Sequence, residues 1–382
     1  MALGVFGSSE ASGVMMSTTY QIFVSCLPRF EVLLDQELQA LVPSRKRARK
    51  QGGVELRVDR GELWSLAHDL RVAESIRVRV GAFHAPDFRA LRLGLARLPW
   101  SAWVGRSELP PVEVSTSSSA LYHDVAVQER VEQFFLERAE ASDAPKTGLA
   151  PRVFVRIVND AAVVSVDASG ALLHRRGVRT TTLRAPLRET IAAACLRASG
   201  LQGSMQLADP VCGSGVFLVE RAMSEPGAAL PRWFAFETWP THEADEYASW
   251  TYARPPLQMP DGLSLFGADN SAAAVDACRD NLQRIIGGEA VPVEKRDIAD
   301  TLAALPPGTD VIMNPPWGER VSGSARVGAA VGQWLRRRPK ADGGRVAVLV
   351  NGHEFLKASG ERWDEVLAFR DGGLPVRLMV HR

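Results

Sequence analysis

A short apolar run, Val311-Ile312-Met313, ends in Asn314-Pro315-Pro316-Trp317. The run reads as a buried strand, and the prolines end it because neither supplies an N–H and each restricts the residue before it. The result is a stiff turn at the carboxyl end of a strand, where open α/β sheets bind ligands. It offers an amide oxygen at Asn314 and a main-chain carbonyl at Pro315 as acceptors, with the flat ring of Trp317 for stacking. Those parts suit a planar group that carries an NH₂.

Three further polar signals fall just beyond apolar runs. Asp209 precedes Gly213-Ser214-Gly215, whose glycines let the backbone approach a ligand and whose following helix presents free N–H groups. There is no third glycine at dinucleotide spacing and no Gly-Lys-Ser/Thr loop, which argues against NAD and ATP sites. Asp269 ends the next run; an acid there can accept from both hydroxyls of a ribose or cap the helix that begins after Ser271. Asp297 ends a third run and can accept from an adenine amino group, or again cap a helix.

The elements that must position these residues show as strand–helix alternation. Strands are expected at Met205–Ala208, Leu263–Ala268, 290–295, the run before Asn314, and Arg345–Val350, with helices between them. Val366–Phe369 and Val376–Val380 complete a mostly parallel, doubly wound sheet. Residues 225–262 read as an irregular insertion rich in Pro and Trp. Upstream, Tyr20–Val24, Val54–Val58 and Ser75–Val80 read as strands alternating with helices at Phe30–Leu41 and Glu62–Asp69, a small α+β module. A second module has helices at Asp87–Leu98 and Asp124–Ala139, and a hairpin whose turn is Asn159-Asp160. The basic cluster Arg45–Lys50 reads as a solvated loop.

At 382 residues the chain is long enough for two or three domains. Its formal charge of +1 hides a slightly basic first half and a slightly acidic second half, weak support for a polyanion partner of the first. Cys26, Cys195, Cys212 and Cys278 show neither C-x-x-C pairs nor His-rich spacing, so zinc and a disulfide framework are not indicated and a reducing cytoplasm is the simplest setting. No apolar run approaches the roughly 18 residues that span a bilayer. Residues 1–17 lack a basic n-region and read as a disordered extension, with Met15 or Met16 as an alternative start.

Together the four signals suit one ligand with an adenosine end, such as S-adenosylmethionine, and a second with a flat amino-bearing end, such as a nucleobase. The segments DPVCGSGVFLVERA, LFGAD, KRDIAD and NPPWGERV resemble those of class I methyltransferases, specifically the ribosomal-RNA guanine-N2 methyltransferase family with a THUMP domain. LLHRRGVR and APLRETIAAA resemble the lead into that family's catalytic domain, PRVFVRIVNDAAVVSVDASG the end of its THUMP module, and YQIFVSCLPRFEVLLDQEL with QGGVELRV its N-terminal ferredoxin-like region. The resemblance covers nearly the whole chain from about residue 18.

It implies an α/β protein with a Rossmann-like methyltransferase domain at 173–382, preceded by ferredoxin-like (18–85) and THUMP RNA-binding (86–172) modules. By the same resemblance Asp209, Gly213 and Gly215 line the methionine and ribose parts of S-adenosylmethionine, Asp269 holds the ribose, Asp297 takes the adenine amino group, and Glu189 and Thr190 lie near the cofactor. Asn314 and the Pro315 carbonyl take the guanine amino hydrogens, with Pro316 stiffening the turn and Trp317 stacking on the base. Val216 stands where the family usually has Thr, and Trp317 where it has Tyr. The implied partner is RNA, ribosomal before transfer RNA, with no metal and no membrane. The turn itself accepts adenine as readily as guanine. An adenine-N6 nucleic-acid methyltransferase, a glutamine methyltransferase acting on release factors and an RNA-binding protein with a vestigial pocket therefore stay open.

Overall fold

A computed structural model describes residues 19–142, 149–179, 181, 187–286, 291–316, 321–339 and 343–381. Two seven-stranded sheets organise them. The first contains β1 (Thr19–Ser25), β2 (Arg47–Lys50), β3 (Gly53–Asp59), β4 (Ser75–His84), β5 (Val112–Ser117), β6 (Val153–Val158) and β7 (Ala161–Asp167), in the order β2-β3-β1-β4-β7-β6-β5. β4 pairs with β1 on one side and with β7 on the other, so the two N-terminal segments share one continuous sheet. The β6–β7 hairpin turns at Asn159 and Asp160, both at positive φ (51° and 62°), the backbone a tight two-residue hairpin demands. Helices α1 (Glu31–Leu41), α2 (Arg60–Asp69), α3 (Phe88–Ala96) and α4 (Asp124–Glu140) cover it. Asp59 and Glu62 form a reciprocal capping box that starts α2 directly from β3.

The basic cluster is not a free loop. Arg47–Lys50 is an edge strand on β3, and Arg45 bonds Asp59 and Glu62 while Arg47 bonds Asp35. Charged side chains are what a protein places on an open sheet edge, so the strand carries no apolar alternation to announce it.

The second sheet runs β10-β9-β8-β11-β12-β14-β13. Its strands are β8 (Gln206–Asp209), β9 (Ser264–Asp269), β10 (Val293–Lys295), β11 (Asp310–Met313), β12 (Val346–Val350), β13 (Asp364–Asp371) and β14 (Leu374–His381). The first five are parallel, and β14 and β13 close one edge antiparallel. Helices α5 (Glu189–Ala198), α6 (Val216–Ala222), α8 (Ala272–Ile286), α9 (Ile298–Ala304), α10 (Val321–Arg337) and α11 (Glu354–Ser359) flank it. The chain steps outward from β8 to β9 and β10, then returns to β11 on the other side of β8. The switch point therefore lies between β8 and β11, the position where such sheets open a crevice at the strands' carboxyl ends.

Residues 225–262 are more regular than their composition predicts, with a short turn of 3₁₀-helix at Ala235–Thr238 and a helix, α7 (Ala244–Tyr252). Their aromatic rings pack onto the first sheet's unit: Trp239 against Tyr20, and Tyr247 against Trp64. His68 pins this packing, accepting from the Leu230 N–H at Nδ1 (2.8 Å) and meeting the Tyr247 hydroxyl at Nε2 (2.9 Å). A buried guanidinium adds a second tie. Arg176 forks onto Glu220 of α6 (2.7 and 2.9 Å) and donates to the Leu70 and Arg71 carbonyls beyond α2.

Candidate active site

Asp209 is the last residue of β8 and is almost wholly buried, its Oδ1 accepting from the Val211 N–H at 3.2 Å. Burial pushes its carboxyl well above the usual carboxylate range, helped by the nearby charge of Asp269 and opposed by the Val211 bond. The turn beyond it is shaped by two glycines with different jobs. Gly213 has φ +53°, and a Cβ there would meet nothing within 4 Å among the described residues, which leaves its backbone open on that side. Gly215 has φ +80°, and a Cβ would come to 2.5 Å from the Cys278 sulfur, so glycine lets α6 start against α8.

Asp269, at the end of β9, reaches across to this turn. Its Oδ2 accepts from the Gly213 N–H (3.0 Å) and its Oδ1 from the Ser271 N–H (2.9 Å). The helix-capping use of an acid at this position is thus partly realised, and the same carboxylate also sets the glycine turn. Asp297 caps α9 through the Ala299 N–H (3.0 Å), while Arg326 of α10 pairs with its other oxygen.

Asn314 directly succeeds β11, so it and Asp209 stand at the ends of neighbouring strands on either side of the switch point. Its Oδ1 is buried and has no hydrogen-bond partner among the described residues. Buried acceptors are nearly always satisfied, so an unpaired one at a crevice is an invitation to an external N–H. Pro315 is buried and Pro316 half-buried; Trp317 lies outside the described residues.

Glu189 and Thr190 open α5 and are both buried. Neither is idle: Glu189 is paired with Arg179 at 2.8 Å, and the Thr190 hydroxyl faces Glu74 at 3.5 Å. Two further residues belong to this neighbourhood and were not among those singled out from the sequence. Arg179 donates to Ser214 Oγ (3.2 Å), and Asn281 of α8, fully buried, donates to the Ser214 carbonyl (3.0 Å). For Asn281 a signal existed: it sits on the buried stripe Ala274, Cys278, Asn281, Ile285, where an amide must find partners. Arg179 was hidden within a basic segment.

The site thus combines a braced glycine turn with acids at three strand ends and an amide oxygen across the switch point that is unpaired among the described residues. It can hold a hydroxyl-rich, amino-bearing ligand beside a second amine. Residues 176–376 match the RMKL-like methyltransferase domain family. The chain belongs to that family. The matched span contains Glu189, Thr190, Asp209, Gly213, Gly215, Asp269, Asp297 and Asn314.

Over 280 residues, 68% of this chain, it is 31% identical to the ribosomal RNA large subunit methyltransferase K/L of Psychromonas ingrahamii, and that alignment takes in only 36% of the relative's length. The fold is also that of several solved structures. A predicted N6-adenine-specific DNA methylase from Listeria monocytogenes matches with TM-score 0.79 at 24% identity, covering 94% of this chain and 96% of that one. SMU.472, a putative methyltransferase complexed with SAH, gives 0.79 at 23% identity over 96% and 98%. TrmN from Thermus thermophilus gives 0.69 at 21% identity over 95% and 99%. These likenesses establish the Rossmann-like methyltransferase sheet as the architecture. Among the described residues no helix is long and apolar enough to cross a membrane, and no cluster of three or more His, Cys, Asp or Glu could hold a metal ion.

Proposed function

We propose that this methyltransferase transfers a methyl group from S-adenosylmethionine to the exocyclic N2 of a guanine in RNA, with large-subunit ribosomal RNA the first candidate and transfer RNA the second. The observation that carries the reading is the Oδ1 of Asn314 at the switch point, one strand from Asp209, buried and without a hydrogen-bond partner among the described residues. The identity to a ribosomal RNA methyltransferase over most of the chain supports the RNA class.

The residues present fit the cofactor. On this reading the methionine part lies over Gly213, where a Cβ would meet nothing within 4 Å among the described residues, Asp269 takes the ribose and Asp297 the adenine amino group, with Asp209, Gly215, Glu189 and Thr190 around them. When bound, S-adenosylmethionine supplies an electrophilic methyl on a sulfonium. The protein's own task is to make a poor nucleophile usable. A guanine amino nitrogen shares its lone pair with the ring; Asn314 Oδ1 and the Pro315 carbonyl accept its two hydrogens and pull them out of the ring plane, which localises the lone pair on nitrogen, facing the sulfonium methyl. Pro315 and Pro316 keep the turn stiff while they do so, and Trp317 supplies a stacking face. Positioning and fixed dipoles are the main catalytic terms, and no strong base is needed before transfer. A base inside an RNA helix cannot reach such a turn, so the target is flipped out or single-stranded.

On this reading residues 18–85 and 86–172 form the ferredoxin-like and THUMP modules that deliver the RNA to a methyltransferase domain at 173–382. Four buried free cysteines suit a reducing cytoplasm. The test is transfer of labelled methyl from S-adenosylmethionine to total RNA, followed by nucleoside analysis. N2-methylguanosine is expected. Label in N6-methyladenosine would overturn the base, and firm cofactor binding with no transfer to any RNA would overturn the RNA reaction and leave a protein-glutamine methyltransferase or an RNA-binding protein.

A further inference from the structure

The glycine turn is held by a buried side-chain frame that the proposed reaction does not itself require. Ser214, its middle residue, is gripped twice. Arg179 Nη1 donates to Ser214 Oγ at 3.2 Å, and Asn281 Nδ2 donates to the Ser214 carbonyl at 3.0 Å. The remaining Arg179 bonds run to Glu189 Oε1 (2.8 Å) and to the Leu187 carbonyl (2.9 Å), which lead into α5. The rest of the Asn281 amide is spent on Thr181, accepting from its N–H at 3.1 Å and donating to its carbonyl at 2.7 Å. The Arg179 and Glu189 side chains are only 4% and 9% exposed.

Burying a guanidinium, a carboxylate and an amide at one spot is costly even when every bond is made, and apolar side chains of similar size would stabilise the fold as well or better. Such frames are best accounted for by the geometry they impose. Here that geometry is the path of Gly213-Ser214-Gly215 and the orientation of the Glu189 carboxylate. Both lie on the side of the crevice that receives the methionine end in the proposed cofactor site. Among the described residues the Asp269 and Asp297 side chains, read as holding the ribose and adenine, have no hydrogen bond to the frame beyond the Gly213 N–H.

We infer that Arg179 and Asn281 are positioning residues for the amino-acid end of S-adenosylmethionine, acting through Ser214 and Glu189. The inference rests on the proposed cofactor site and deepens it. The adenosine end is tied to the frame only at one remove, through the Asp269 bond to the Gly213 N–H; the methionine end depends on it directly.

The test compares two probes with the full chain by calorimetric titration: S-adenosylhomocysteine, which has the amino-acid end, and 5′-methylthioadenosine, which lacks it. Asn281→Ala removes the bond to the Ser214 carbonyl and the two bonds to Thr181, and Arg179→Lys keeps the charge but loses the fork. Each is expected to weaken S-adenosylhomocysteine by roughly tenfold, the scale of one or two lost hydrogen bonds, and to leave 5′-methylthioadenosine within about twofold. Ser214→Ala, which removes only one acceptor, should show the same selectivity at smaller size and guards against loss of folding in the larger changes. Equal weakening of both probes would mean a merely structural frame and overturns the inference, as does no weakening of either. A wild-type protein that binds neither probe would overturn the cofactor reading itself.

Discussion

The two sides of the crevice are built on opposite principles. On the β8–β9 side nearly every polar group is already spoken for: Asp269 holds the Gly213 and Ser271 N–H groups, and Arg179 and Asn281 hold Ser214. On the β11 side the Asn314 Oδ1 is buried and unpaired among the described residues. A preformed network fixes where a ligand's hydroxyls and amino group must go and spends little on reorganisation. An unpaired acceptor does the reverse, staying costly until a donor arrives and gaining most when that donor is an amine aligned for reaction. On the proposed reading the difference separates a holding half from an activating half, and each should be open to damage without the other.

Asn314→Ala is the sharpest break. It removes the orphan acceptor and leaves the β8–β9 side intact, so cofactor affinity is expected to stay within about twofold while turnover falls by about a hundred- to a thousandfold. Single-turnover rates beside a cofactor titration check this. Normal turnover by the variant would remove Asn314 from the chemistry.

Both halves depend on the packing of the two sheet units, and that packing sets the pH range over which they can be compared. Burial pushes His68 down to about 3, and Arg254, Arg232 and Arg71 push the same way. A histidine held below its unfolded value of about 6.5 contributes stability that is full above that value and is lost as pH falls from 6.5 toward 3. Burial likewise lowers His174, to about 4, and adds the same sign over a shorter window. The folding equilibrium should therefore weaken by up to roughly tenfold per pH unit below 6.5 on account of His68 alone. Denaturant midpoints at pH 7.5, 6 and 5 measure it, and His68→Gln should flatten the slope; an unchanged slope would place the acid sensitivity elsewhere.

Asp269→Asn tests the holding half. The amide keeps one oxygen but loses charge, and only one of the two N–H groups it serves can be satisfied by a carbonyl in the same place. Cofactor affinity is expected to fall by about tenfold, with RNA affinity unchanged. Filter binding of RNA beside a cofactor titration separates the two.

How much of this could be read from the chain depends on the range of the forces involved. Strand ends carrying Asp209, Asp269 and Asn314 stand out because apolar runs of period-appropriate length stop at Gly, Pro or an acid. β2 could not be seen this way, since Arg47–Lys50 is charged at three of its four positions and becomes a strand only by pairing with β3. α9 and α11, with seven and six residues, are too short to show periodicity, and α9 begins because Asp297 caps it. Residues 225–262 looked irregular because their order comes from His68, Trp64 and Tyr20, far away in sequence. The Asn281 bond to Thr181 spans 100 positions, so an amide on an apolar helix stripe could mark a need for partners but not name them.

Asp297 falls between the two halves, and Arg326 makes the smallest of the tests. One oxygen of Asp297 caps α9 while the other is taken by an exposed guanidinium, two-thirds accessible, from α10. If the adenine amino group needs that oxygen, the arginine competes with it, but an exposed ion pair is weak and screened by salt. Arg326→Ala should then tighten cofactor binding by no more than about fivefold at low ionic strength. The gain should vanish as salt rises, because the wild-type pair is already loosened there. Titrations at low and high salt check both parts. Tighter binding puts Asp297 with the activating half, as an acceptor kept from its ligand by a partner it must exchange. Weaker binding in the variant would instead make Arg326 a clamp on the bound adenine and place Asp297 with the preformed side.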